Sequence, residues 1–304
     1  MDYVYFAAGL VALFLSGDAL IRGSIGMARS FSIPPLLIGL TVVGFGTSAP
    51  ELLVSIDAAM RGIPDIAIGN VVGSNIANIL LIIGISSLLW PIFVPNSTIR
   101  RDIAVMLIAT LALLPLFWIG TIDRTAGAVL FTGLAGYILW SYLKPGETPD
   151  IGLETAPPLW QSLLWVAIGL IGLVIGARLL VDGAVLIARS FGLSEAFIGL
   201  TIVAIGTSLP ELATALVAAW RRQSDIALGN VIGSNIFNVL CILGITALII
   251  PIPVATRFLV IDLPILLAIT IFFTLLLLLS SRIGRAAGAL MLVSYAAYVA
   301  FAMS

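Results

Sequence analysis

The sequence has no histidine, and Cys241 is its only cysteine. A disulfide within the chain is therefore excluded, and so is a zinc, haem or iron–sulfur site that depends on histidine and cysteine ligands. Cys241 lies inside an apolar run, so we expect it to be a small buried apolar residue. We expect no cofactor.

Charged residues are also scarce. They make up 10% of the 304 residues, whereas apolar residues make up 61%; a soluble domain carries about 25% charged residues. Ten apolar runs approach the length of about 20 residues that crosses a bilayer, so the sequence predicts a multi-pass integral membrane protein. No lysine or arginine precedes the first run, which argues against a cleaved signal peptide.

The apolar runs predict an all-α fold with ten transmembrane helices. These are residues 3–28, 34–60, 65–90, 101–119, 125–143, 159–188, 194–220, 225–250, 258–280 and 284–302. The only long polar connector, residues 144–158, predicts a flexible linker. It would join two membrane regions of five helices each, residues 1–143 and residues 159–304.

The two halves of the chain repeat each other at an offset of 160 residues. Residues 29–84 and 189–244 align without a gap and agree at about 31 of 56 positions, which indicates an internal duplication. Five spans is an odd number, so the two copies must enter the membrane in opposite directions. Such inverted repeats are typical of secondary transporters, which bind their substrate between the repeats.

The basic residues predict that the N-terminus lies outside. In that orientation nine lie at cytoplasmic helix ends and five at external ends, as the positive-inside rule requires. The nine are Arg22, Arg29, Arg100, Arg101, Lys144, Arg221, Arg222, Arg282 and Arg285, and the five are Arg61, Arg124, Arg178, Arg189 and Arg257.

Each half contains a polar motif inside an apolar run, GFGTSAPE at Gly44–Glu51 and AIGTSLPE at Ala204–Glu211. A charge at this depth costs several kcal/mol. Pro50 and Pro210 should break their helices and free a backbone carbonyl, which a membrane tolerates only inside protein or beside a polar cavity. Carboxylate, hydroxyl and carbonyl oxygens are the ligands of Ca²⁺ and other hard cations. The motif therefore predicts half of a cation site, present twice.

The candidate ligands of this motif are Glu51, Thr47, Ser48, Glu211, Thr207 and Ser208. Two ionised glutamates balance one Ca²⁺ or two Na⁺, which is the competition that an antiporter needs. The alternative is a pair of protonated, hydrogen-bonded acids, and this alternative leaves proton coupling open.

A second motif follows in each half, GNVVGSNIAN at Gly69–Asn78 and GNVIGSNIFN at Gly229–Asn238. Its serine and last asparagine are one helical turn apart and share a face. Such residues can simply join helices by hydrogen bonds. Because the motif recurs beside an acidic partner helix, we predict that it closes a cage of oxygen ligands. The residues concerned are Ser74, Asn78, Ser234 and Asn238.

Asp18 and Arg22 lie four residues apart in the first span, and their counterparts are Arg178 and Asp182, with the charges exchanged. This spacing places both partners on one helix face. We expect structural ion pairs rather than a role in transport.

The four motifs resemble those of the cation/Ca²⁺ exchanger superfamily, specifically of prokaryotic sodium/calcium exchangers. The likeness lies in residues 46–51, 206–211, 73–78 and 233–238, and the ten-span layout extends it through nearly the whole chain. It implies alternating access, with the first and sixth spans sliding past a core of the second, third, seventh and eighth.

By position, the resemblance implies that Glu51 and Glu211 bind both Ca²⁺ and Na⁺. The further ligands that it implies are the carbonyl groups of Thr47, Thr207, Gly44 and Ala204 and the side chains of Ser48, Ser208, Ser74 and Ser234. Asn238 stands where some members have an acid, so K⁺ cotransport is not expected. Proton/Ca²⁺ exchangers typically replace the Thr-Ser pair with an asparagine, which this chain lacks, and the regulatory loop of animal exchangers is missing.

The sequence thus predicts a Na⁺/Ca²⁺ antiporter that extrudes Ca²⁺ across the plasma membrane of a prokaryote. Ca²⁺ and Na⁺ would be its substrates and the lipid bilayer its surroundings, with no nucleic acid and no obligate protein partner. H⁺/Ca²⁺ or other divalent-cation exchange and a Ca²⁺ channel are alternatives. An enzyme is not expected; the distant alternative is an intramembrane hydrolase with Glu51 and Glu211 as acid and base.

Overall fold

The computed structural model describes residues 2–94, 99–144, 157–191 and 206–302, and within these ranges the protein is mostly helical. The helices are α1 (Asp2–Phe31), α2 (Pro35–Thr47 and Ala49–Met60), α3 (Pro64–Leu89), α4 (Ile99–Ile119), α5 (Arg124–Leu143), α6 (Leu159–Ser190), α7 (Leu209–Trp220), α8 (Ser224–Ile249), α9 (Phe258–Leu279) and α10 (Arg285–Ala302). The predicted bounds agree with these to within a few residues, wherever the structure describes them.

Eight of the described helices are long and apolar enough to cross a membrane, and α2 makes a ninth if its two arms count as one span. α7 is a shorter apolar helix. The first part of the predicted helix 194–220, like residues 145–156 of the predicted linker, lies outside the described residues. Exposed apolar side chains such as Trp118 and Leu279 cover the outer surface. The chain is therefore a multi-pass integral membrane protein.

α2 is broken at Ser48, where its two arms meet at an angle of 43°. Pro50 lies in the first turn of the second arm, where its missing N–H leaves no hydrogen bond unmade. The predicted break is confirmed, two residues before the proline. It brings the carbonyl end of Pro35–Thr47 and the amide end of Ala49–Met60 together. α7 begins in the same way, with Pro210 in its first turn.

The first arm of α2 crosses α8 at backbone distance. A Cβ atom on Gly233 would lie 2.5 Å from the carbonyl oxygen of Leu40, and one on Gly229 would lie 2.7 Å from that of Leu36. Only glycine permits such an approach. The crossing places the polar motif of one half directly against the second motif of the other half.

α3 and α8 are the most deeply buried of the membrane-spanning helices that the structure describes. Each changes from α-helical to π-helical geometry at the last asparagine of its motif, over Asn78–Ile82 in α3 and over Asn238–Leu243 in α8. π-Helical turns are rare and frequently occur at functional sites. The sequence pattern does not predict this change.

Two short strand pairs supplement the helices, which the all-α prediction did not include. β1 (Ile92–Phe93) pairs with β4 (Arg282–Ile283), and β2 (Thr121–Ile122) pairs with β3 (Ile252–Pro253), both antiparallel. Each pair takes one strand from each half of the chain. Backbone hydrogen bonds therefore join loops of the two halves directly.

α1 and α6 pack against each other over much of their length, and α1 also packs against α7. The predicted ion pair between Asp18 and Arg22 is confirmed, with 2.8 Å between Oδ2 and Nε. Asp18 is also paired with Arg221, just after the end of α7. That second partner cannot be predicted from spacing along one helix.

The expectation of a matching pair in α6 is wrong. Arg178 and Asp182 are exposed, and the structure gives no ion pair between them although both lie in its described part. An exposed pair four residues apart gains little free energy in water. Asp18 differs because Arg221 approaches it from a neighbouring helix.

Candidate cation site

Two glutamates from different halves lie at the centre. Glu51 is in the first turn of Ala49–Met60 and Glu211 in the first turn of α7, and each is 1% exposed. The free N–H groups of a first turn stabilise negative charge. The ion pairs identified in the described ranges all use aspartates, so neither glutamate is paired with a basic side chain there. Buried charge without a counter-charge is strongly unfavourable.

The serine in the first copy of the polar motif donates to the glutamate in the second copy. Ser48 Oγ lies 3.1 Å from Glu211 Oε1, and its counterpart Ser208 is buried near the Glu51 carboxylate. The two carboxylates are close enough to repel each other. The structure therefore brings both glutamates and both serines into one cluster, as the sequence predicts.

Asn230 links the two halves behind the carboxylates. Thr47 Oγ1 lies 3.2 Å from Asn230 Oδ1, and Asn230 Nδ2 donates to the backbone oxygen of Glu211 at 3.2 Å. Its counterpart Asn70 donates to the backbone oxygen of Glu51 at 3.1 Å. Both asparagines therefore hold the backbone on which a glutamate is carried.

The remaining hydroxyl candidates are less uniformly placed. Ser234 Oγ lies 3.5 Å from the carbonyl oxygen of Gly44, which brings that predicted carbonyl ligand into the cluster. Ser74 is buried and Thr207 is partly buried, but within the described residues neither makes a hydrogen bond to another member of the predicted set. Ala204, whose carbonyl was also predicted, lies outside the described residues.

The two predicted asparagines complete the cluster. Asn78 and Asn238 are each 1% exposed. The π-helical turn that begins at Asn238 packs against Ala49–Met60, and the one that begins at Asn78 packs against α7. Each amide nitrogen donates to an asparagine of the other half, Asn78 to Asn235 and Asn238 to Asn75.

Four asparagines of the cluster were missed by the sequence reasoning, although each lies within the second motif that the reasoning had identified. Each occurs at the same position in both copies of the motif, directly after a glycine or a serine that the two copies also share. This identity between the copies could have indicated that the four asparagines belong to the site. The four are Asn70, Asn75, Asn230 and Asn235.

Four buried oxygen atoms of the cluster have no hydrogen-bond partner in the described part of the chain. No group of three or more His, Cys, Asp or Glu side chains that could hold a metal occurs there, so two carboxylates would act with amide, hydroxyl and carbonyl oxygens. This donor set suits a hard cation. The four atoms are Glu51 Oε2, Glu211 Oε2, Asn78 Oδ1 and Asn238 Oδ1.

Comparison with known proteins gives a consistent assignment. A family profile described as sodium/calcium exchanger protein matches residues 1–143 and 161–304. CaxA of Alkalimonas amylolytica is 40% identical to this chain over 97% of it and 96% of CaxA. The sodium/calcium exchanger MaX1 of Methanosarcina acetivorans is 30% identical over 98% of this chain and 97% of MaX1.

A solved structure shares the fold. The sodium-calcium exchanger NCX_Mj, soaked with zero Na⁺ and Ca²⁺, superposes with a TM-score of 0.87 at 35% sequence identity. The match covers 98% of this chain and 98% of that chain.

Proposed function

The chain belongs to the sodium/calcium exchanger family, and we propose that it exchanges Na⁺ for Ca²⁺ across a membrane. The observation that carries the proposal is the pair of buried glutamates, which has no basic partner in the described ranges and has unpartnered oxygens beside it. A bound cation supplies the missing positive charge. The names of the relatives MaX1 and NCX_Mj agree with this choice of ions.

Exchange follows from charge balance at one site. Two ionised glutamates are neutralised by one Ca²⁺ or by two Na⁺, so the ions compete for the same carboxylates. The ligands that we propose are Glu51, Glu211, Thr47, Thr207, Ser48, Ser208, Ser74, Ser234, Asn78 and Asn238. The oxygen-only set supports it, because both ions prefer oxygen ligands.

We further propose ten spans in two inverted repeats, residues 1–143 and 159–304, joined by the linker 144–158. The eight apolar helices and the bent α2 support nine of these spans, and α7 would end the remaining one. The family profile divides at nearly the same place. By the distribution of basic residues the N-terminus lies outside, and bacterial and archaeal relatives support the plasma membrane as the location.

The test is ⁴⁵Ca²⁺ uptake into proteoliposomes that are loaded with Na⁺ and diluted either into Na⁺-free buffer or into matched Na⁺. We expect uptake only when Na⁺ can flow outward, and we expect Glu51→Gln to abolish it. Asp57→Asn is the matched control, since Asp57 lies on the same helix but its side chain is 60% exposed and paired with Arg61. It should transport normally.

The outcomes separate the alternatives. Uptake that ignores the Na⁺ gradient but follows an imposed pH gradient would replace the proposal with proton-coupled exchange. An absence of uptake under both gradients would overturn Ca²⁺ as the cargo.

A further inference from the structure

We propose that Asn75 and Asn235 are positioning residues, which turn the side-chain oxygens of Asn238 and Asn78 toward the transported cation. The inference rests on the proposed function, because it takes Asn78 and Asn238 as ligands. Each positioning residue lies three positions before a ligand on one helix and serves the ligand of the other helix.

The four side chains form two hydrogen bonds that cross between the halves. Asn78 Nδ2 donates to Asn235 Oδ1 at 3.2 Å, and Asn238 Nδ2 donates to Asn75 Oδ1 at 2.9 Å. All four residues are at most 2% exposed. Water is therefore poorly placed to replace a lost partner, and each bond has a strong effect on orientation.

Anchoring the amide nitrogen also fixes the amide oxygen, because the group is planar and carries the two atoms on opposite sides of one carbon. If Asn238 turned its amide over, its Oδ1 would face the Oδ1 of Asn75, and two acceptors would meet without a proton. Its NH₂ group would then take the place of the oxygen at the cation. The anchors exclude this repulsive orientation.

The anchors are themselves oriented, but not equally well. Asn75 Nδ2 donates to the backbone oxygen of Asn235 at 3.3 Å, whereas Asn235 Nδ2 faces the sulfur of Met106 at 3.7 Å. A carbonyl oxygen is a good acceptor and a thioether sulfur a weak one. Asn75 is therefore the stiffer anchor.

The same hydrogen bonds separate the positioning residues from the ligands. The Oδ1 atoms of Asn75 and Asn235 each accept a hydrogen bond, while those of Asn78 and Asn238 have no partner in the described residues. Only the second pair offers a free oxygen to a cation. Helical spacing favours the same choice, because Asn78 and Asn238 share a helix face with Ser74 and Ser234.

The first experiment measures Na⁺-driven ⁴⁵Ca²⁺ uptake against Ca²⁺ concentration for Asn75→Ala in proteoliposomes. We expect the KM for Ca²⁺ to rise about tenfold, with kcat within about threefold of wild type, because one hydrogen bond that orients a ligand is lost. Ser86→Ala is the control. Ser86 is buried on the same helix, its hydroxyl has no partner in the described part, and its replacement should leave KM unchanged.

The decisive experiment repeats Asn75→Ala in an Asn238→Asp background. A carboxylate has two equivalent oxygens and no NH₂ group to misplace, so it needs no anchor. We expect Asn75→Ala not to raise KM there, because a carboxylate oxygen facing the acceptor Oδ1 of Asn75 loses nothing when that acceptor is removed. If Asn75 only fills space, the effect will be equal in both backgrounds, and the proposal will be overturned.

The equivalent pair, Asn235 and Asn78, provides an independent test in a different packing environment. Asn235→Ala should raise KM in the wild-type background but not with Asn78→Asp, and equal effects in both would again overturn the proposal. Wild-type protein that shows no Na⁺-driven uptake would instead refute the proposed function. Active wild type with an unchanged KM in Asn75→Ala would refute the positioning role alone.

Discussion

At the centre of the molecule each half supplies a buried glutamate, a buried serine just before it in the same motif and an asparagine that holds its own glutamate's backbone. At the edge the halves differ. α1 and α6 hold equivalent places, yet α1 packs against α7 whereas α6 hardly touches Ala49–Met60. Val217 of α7 is 2% exposed, while the side chain of its counterpart Asp57 is 60% exposed.

The contrast between a symmetric centre and an asymmetric edge indicates that the duplicated chain meets two different requirements. A single cation faces both halves, so under the proposed function the residues around it must match. A transporter that opens to one side at a time must be asymmetric wherever it opens. In the described ranges α7 is covered by α1, whereas the second arm of α2 is left largely uncovered by α6.

The largest expected effect tests whether the two halves are equivalent at their buried glutamates. Glu51→Gln and Glu211→Gln should each lower Ca²⁺ uptake by more than about a hundredfold, because either change removes half of the charge that balances the ion. Uptake measured at equal protein content compares them. If one variant keeps substantial transport while the other has none, the two glutamates are not equivalent.

Gly233→Ala should affect stability rather than ion binding. The new methyl group would lie 2.5 Å from the backbone oxygen of Leu40, which is too rigid to move aside, and overpacking of this kind costs about 3 kcal/mol. The melting temperature in detergent should fall clearly. Gly136→Ala is the control, since a Cβ there meets no described atom within 4 Å, and an equal loss in both would contradict the close crossing.

Ser74→Ala and Ser234→Ala should raise the Na⁺ concentration for half-maximal exchange about tenfold and the KM for Ca²⁺ by less than about twofold. The reason is that the resemblance assigns these hydroxyls to Na⁺ positions. Na⁺ dependence of ⁴⁵Ca²⁺ uptake measures both values. Equal effects of the two substitutions would show that the two halves also match at the Na⁺ positions. Unchanged Na⁺ dependence in both variants would show that the serines are not Na⁺ ligands.

The smallest effect tests the difference at the edge. Asp18→Asn leaves Arg22 and Arg221 without their carboxylate and should cost about 1 kcal/mol. Asp182→Asn should cost nothing measurable, since the structure gives Asp182 no ion pair in the described ranges. Thermal unfolding of both variants provides the comparison, and equal shifts would argue against an asymmetric edge.

Much of the fold follows from the sequence because it depends on local patterns. Apolar runs set the spans, Pro50 predicts the break in α2, and the offset of 160 residues reveals the duplication. The meeting of Ser48 with Glu211 also follows, because both belong to copies of one duplicated motif. The assignment of roles at individual ions stays a prediction.

The missed features depend on contacts between residues far apart in the chain. Asp18 and Arg221 are separated by 203 positions, and Asn78 and Asn235 by 157. No spacing rule along one helix relates such residues. The π-helical turns at Asn78 and Asn238 likewise lie where α3 and α8 pack against helices of the other half.

The two strand pairs join the halves by backbone hydrogen bonds at two places besides the covalent connection. Each half supplies one strand to each pair, so neither pair can form within one half alone. Two identical half-length chains, inserted in opposite orientations, would satisfy both pairs as an antiparallel homodimer. In one continuous chain each half has a single orientation, so the two halves need not be identical, and Asp18 and its counterpart Arg178 carry opposite charges.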